Sequence, residues 1–109
     1  MAYDAELVEQ IRAILSDRPH LVVKKMFGGV GFILNGNMAV GVLNNDLIIR
    51  TPKEQYEALL AEPHVRPMDL KRQPMRGWVM VEPPVYATDA DLERWIAMSA
   101  AIAEALPPK

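Results

Sequence analysis

The chain of 109 residues has no cysteine, only two serines, and no apolar run approaching the length of a membrane span. The lack of cysteine excludes a disulfide framework, a thiolate nucleophile and a cysteine-ligated zinc site. Ser16 and Ser99 stand in no Gly-x-Ser-x-Gly setting, so a serine-hydrolase elbow has no candidate. The start, Met1-Ala2-Tyr3-Asp4-Ala5-Glu6, lacks the basic residues and apolar stretch of a secretory signal. A large charge of one sign is lacking too. The formal net charge of -2 gives no overall attraction to nucleic acid or to an anionic membrane. These absences point to a soluble, cytoplasmic protein with no membrane partner.

What is present is an ordinary globular balance, 50% hydrophobic and 24% charged, in a length that suits one domain over residues 1–109. Leu7, Ile11, Ile14 and Leu15 share one helical face within residues 4–17, and Pro19 stops that helix. Val22 to Met26, Gly31 to Asn35, Met38 to Leu43 and Leu47 to Arg50 read as short strands separated by turn residues, Asn35-Gly36 being the strongest hairpin signal. Thr51-Pro52-Lys53-Glu54 reads as a capped helix start, with Tyr56, Leu59 and Leu60 facing inward. A short edge strand is expected near Met68 to Lys71 and a better one at Gly77 to Glu82. Thr88-Asp89-Ala90-Asp91 then opens a long helix with Leu92, Trp95, Ile96, Ser99, Ile102, Ala103 and Leu106 on one face.

The order of helix, three or four strands, helix, one or two strands and helix predicts an α+β two-layer sandwich with an antiparallel sheet. In the central strands the residues that alternate with Val40, Val42, Leu47 and Ile49 are Ala39, Gly41, Leu43 and Ile48, which are apolar or small as well. A half-solvated sheet alternates with polar residues, so both faces are expected to be covered, the second by another copy in a homodimer.

No residue set amounts to a catalytic or metal constellation, and no cofactor is expected. Gly28-Gly29-Val30-Gly31 resembles a phosphate loop in composition, but a strand and a hairpin follow it where a helix N-terminus is needed, which favours a bend or bulge between strands. His20 and His64 each follow a proline with no metal-ligand spacing around them and read as loop histidines. The acidic residues Asp4, Glu6, Asp89 and Asp91 fall in first helical turns, where they complement the helix dipole. The one locally basic segment holds Arg66, Lys71, Arg72 and Arg76 against Asp69, with Trp78 just beyond. Arg50, Arg72, Arg76 and Trp78 are therefore the candidates for an anion or nucleic-acid site; a solvated edge beside a core tryptophan is the plainer alternative. An enzyme would need distant residues such as Tyr56, His64 and Arg76 to converge.

Lys25-Met26-Phe27-Gly28-Gly29, then Gly31-Phe32, Asn35-Gly36, Arg50 at a strand end, Tyr56, the segment at Pro67 and the helix of Trp95 together resemble the N-terminal domain of the TfoX/Sxy family. Met75-Arg76-Gly77-Trp78 is similar to the form seen in stand-alone members. The resemblance implies a fold like that of secretion chaperones, in the order α-β(3)-α-β(2)-α. It implies a role in regulating natural competence, acting with transcription machinery and not by catalysis, and it carries over no catalytic residues. Full-length regulators of this family also have a second, helical domain, so the expectation for this chain is a regulatory protein-interaction module with an unidentified protein partner. Met26, Phe27, Gly28, Gly29 and Gly31 are the candidate partner-binding residues.

Overall fold

A computed structural model describes residues 4–26, 28–68 and 77–107. The first helix, α1 (Ala5–Ile14), starts where the Asp4 carboxylate accepts the amides of Glu6 at 3.0 Å and Leu7 at 3.2 Å. It buries Leu7, Val8 and Ile11 and ends short of the expected boundary, with Leu15 to Asp17 in turns.

Four strands follow: β1 (Leu21–Met26), β2 (Gly29–Leu34), β3 (Asn37–Leu43) and β4 (Asp46–Arg50). The closing pairs Met26 with Gly29, Leu34 with Asn37 and Leu43 with Asp46 leave two residues for each turn. Asn35 and Gly36, at φ of 53° and 83°, supply the two positive values of a type I′ hairpin. A 3-10 turn (Lys53–Gln55) leads into α2 (Tyr56–Leu60), then β5 (Val65–Pro67), β6 (Trp78–Val81), a second 3-10 turn (Pro83–Tyr86) and α3 (Asp89–Ala105). Thr88 caps α3 as expected, its hydroxyl accepting the Asp91 amide at 3.1 Å.

The six strands form one antiparallel sheet in the order β1-β2-β3-β4-β6-β5, and the helices supply the second layer. The fold is thus the α+β two-layer sandwich, with four strands before α2 where the family order has three. Phe32, Leu34, Val40, Val42, Leu47 and Ile49 meet Ile11, Leu15 and Ile96 of the helical layer in a fully buried core. Small residues on α3, Ser99, Ala100 and Ala103, let it lie close against β3 and β4.

Three expectations are corrected. The described edge strand lies at Val65–Pro67, where Val65 opposes Val81 and Pro67 opposes Val79, and Met68 is not part of it; Asp69 to Lys71 of the expected strand are outside the described residues. Thr51 does not cap a helix. Its amide donates to the Gly77 carbonyl at 2.8 Å, extending the β4–β6 pairing, so the side chain turns inward and its hydroxyl has no hydrogen-bond partner among the described residues. Finally, Ala39 belongs to the helix-facing core and Met38 to the other face. Phe32 pairs with Val40 but Ile33 with Met38, so Ala39 is the extra residue of a β-bulge, which reverses side-chain parity.

The glycines at the β1–β2 hairpin meet internal demands. Gly28 takes φ of 79° in the turn. A Cβ on Gly29 would sit 2.0 Å from the Val42 carbonyl oxygen, whereas one on Gly31 would sit 2.6 Å from the Met26 sulfur, a movable side chain. Gly29→Ala is therefore expected to cost about 3 kcal/mol and Gly31→Ala about 1 kcal/mol, read as separate shifts in urea midpoint. Equal costs would contradict this assignment.

Candidate functional site

The sheet face turned away from the helices is lined by methionine. Ile48, Met68 and Met80 form its buried centre, with Met38, Leu43 and Trp78 packed against them. Gly31 and Gly41 are cross-strand partners and carry no side chain onto this face. Met26 lies over the first and Met38 over the second, within 2.6 and 2.7 Å of where a Cβ would stand. Flexible thioethers fill the shallow trough that the glycines leave. In sequence these methionines look merely scattered; the sheet gathers Met26 from β1, Met38 from β3, Met68 from the end of β5 and Met80 from β6, and the bulge at Ala39 brings in Met38. Ile48, Met68 and Met80 are buried on this face within the single chain.

Arg50 ties this face to the core. Its amide donates to the Ser99 hydroxyl at 2.8 Å, and that hydroxyl donates to the carbonyl of the bulged Ala39. Its Nε donates to the Met38 carbonyl at 2.8 Å, and its guanidinium carbon lies 4.3 Å from the centre of the Trp78 ring. Burial draws the Arg50 guanidinium below its ordinary pKa. Of the expected anion-binding residues, then, Arg50 and Trp78 are brought together as a cross-strand pair held by the fold, while Arg72 and Arg76 lie outside the described residues.

Arg66 is engaged at the β5 side, where it pairs with Asp46 and, at 3.4 Å, with Glu82. His64 Nδ1 donates to Glu82 at 3.0 Å. That hydrogen bond holds the Glu82 carboxyl below its ordinary value; desolvation opposes the shift and Arg66 adds to it. Tyr56 lies in the main core cluster, whereas His64 is exposed at this edge, and Arg76 is outside the described residues, so the described residues show no meeting of the three. His20 and His64 both sit in turns at positive φ. Among the described residues no group of three or more His, Cys, Asp or Glu could hold a metal ion.

Of the candidate partner-binding residues, Gly29 and Gly31 are buried, Met26 is half-buried, Gly28 is exposed in the turn, and Phe27 is outside the described residues. Trp95 is 5% exposed and packs in the core, with its indole N–H unpartnered among the described residues. It also lines a shallow groove of about 250 Å³ between α2 and α3, with Gln55, Leu59, Glu62, Arg94 and Met98.

The arrangement defines a small α+β domain built to pack both faces of its sheet, with a methionine-lined second face. The chain belongs to the TfoX N-terminal domain family, whose model matches residues 13–103. No significant match is found among curated proteins or among solved structures.

Tyr86, packed against the main core, gives the fold a pH signature. Its hydroxyl donates to the Asn45 carbonyl, and burial, followed by the charges of Asp4 and Asp46, pushes its pKa up to about 12. A pKa raised above the unfolded value of about 10 stabilises the fold fully below pH 10, and that contribution is lost as pH rises through 12. The difference in stability between the wild type and Tyr86→Phe is expected to shrink across this window. A difference that is flat across it would contradict the assignment.

Proposed function

We propose that the chain is a non-enzymatic protein-interaction module in transcriptional regulation of the competence type. Membership of the TfoX N-terminal domain family carries the reading, since it suggests a regulatory or competence-related role. The packing is consistent with it. The hairpin glycines and Arg50 serve the fold, which leaves the module's outer surfaces to meet a partner. Among the described residues no helix is long and apolar enough to cross a membrane. Binding of nucleic acid or a small anion through the Arg66 to Trp78 segment is the competing reading, with Arg50 and Arg66 already engaged by neighbours.

Affinity capture of the tagged chain from its host's lysate, with and without nuclease, separates the two. A protein that co-purifies after nuclease treatment is expected. Recovery of nucleic acid alone, or of nothing, would overturn the proposal.

A further inference from the structure

The two edges of the sheet are finished differently. β5 is three residues long, ends in Pro67, and has Arg66 paired with Asp46 and Glu82. Brevity and proline are common ways of closing an edge to further pairing. β1 is six residues long, contains no proline, and among the described residues pairs only with β2. It carries Val22, the one large hydrophobic residue among the described residues that is markedly exposed, at 45%. Lys24 and Lys25 follow, on opposite faces of the strand, and neither joins an ion pair among the described residues. A groove of about 220 Å³ runs beside them between β1 and α1, lined by Val8, Arg12, Val23, Lys24, Lys25 and Val30. Arg12 at its rim is paired, among the described residues, only with the exposed Glu9 on its own helix.

We propose that the β1 edge accepts an extended acidic segment of a partner protein as an added strand. Two adjacent carboxylates would meet Lys24 and Lys25 on either side of the sheet, with β-branched residues beside Val22 and Val23. Main-chain hydrogen bonds supply affinity in this mode, and the alternating side chains supply selectivity. A second copy of the chain fits the edge poorly. Fully overlapped antiparallel pairing of two β1 strands sets Lys24 and Lys25 of one copy diagonal to Lys25 and Lys24 of the other on the same faces, within reach of these long side chains, and like charges that close weaken a ladder. Lysine on an edge guards against self-pairing. Because that guard acts through charge, it leaves the edge open to a strand of opposite sign. The proposal rests on the interaction-module reading and names the chemistry of its partner.

The test is an amide NMR titration of the full chain with the capped peptide Thr-Glu-Glu-Val-Val-Thr and with its counterpart Thr-Lys-Lys-Val-Val-Thr. The acidic peptide is expected to shift the Leu21–Met26 amides with saturation at roughly 1 mM, and to bind about tenfold more weakly to the double variant K24E/K25E. Absence of β1 shifts at roughly 10 mM acidic peptide, or equal shifts with both peptides, would overturn the proposal. So would β1 shifts that grow with protein concentration alone alongside a dimer in light scattering, which would give the edge to a second copy. Lysate capture separates failure of the edge from failure of the module. If the wild type and K24E/K25E retain the same nuclease-resistant protein, the module stands and the edge proposal falls. If neither retains one, the module reading falls, while the peptide titration still judges the edge.

Discussion

The Ser99 hydroxyl joins the two layers of this protein at the point where the sheet would otherwise be unsatisfied. The bulge at Ala39 interrupts the β2–β3 register, and Ala39 and Arg50 both lie just beyond Val40–Ile49, the last β3–β4 pair, which leaves the Arg50 amide as a donor and the Ala39 carbonyl as an acceptor for the helical layer. Ser99 accepts from the first and donates to the second, and it is fully buried, so water cannot substitute for it. Ala100 and Ala103 allow α3 to come close enough for that contact. Arg50, fixed at its backbone, then reaches across the end of the β3–β4 pairing to the Met38 carbonyl and stacks on Trp78. A polar chain therefore runs from α3 through the sheet to its far side.

The far side explains one glycine of the signature, Gly31. Gly31 and Gly41 leave a trough across β2 and β3, and Met26 and Met38 fold into it. Methionine suits such a place because its unbranched chain adapts to an irregular floor. The same packing lets a single chain cover Ile48 and Met80, which are at most 4% exposed. The two rims of the sheet differ, β1 being long and bearing Lys24 and Lys25, β5 short and ion-paired through Arg66, and the proposed recognition site is the β1 rim.

Local signals in the sequence were read correctly where local chemistry decides the outcome. Asp4 and Thr88 cap helices because their side chains reach amides two or three residues away. Asn35-Gly36 turns the chain because both residues tolerate positive φ. Arg50 and Trp78 stand out in the sequence only as separate members of a candidate anion site, because their contact is set by the pairing of β4 with β6. What could not be read depends on distant residues. The bulge at Ala39 is completed by a hydroxyl 60 positions later, and it silently exchanges Ala39 and Met38 between faces. Thr51 has the spacing of a cap, yet pairing with Gly77 keeps the backbone extended. The methionines collect on one face only once the register across four strands is known.

The claim that Ser99 anchors the bulge and Arg50 is tested most directly by amide hydrogen exchange at Arg50 in the wild type and in Ser99→Ala. The account predicts that the wild-type amide exchanges only through global unfolding, and that the variant exposes it by local opening while losing at least about 2 kcal/mol of stability. Equal protection of the Arg50 amide in both proteins would contradict it.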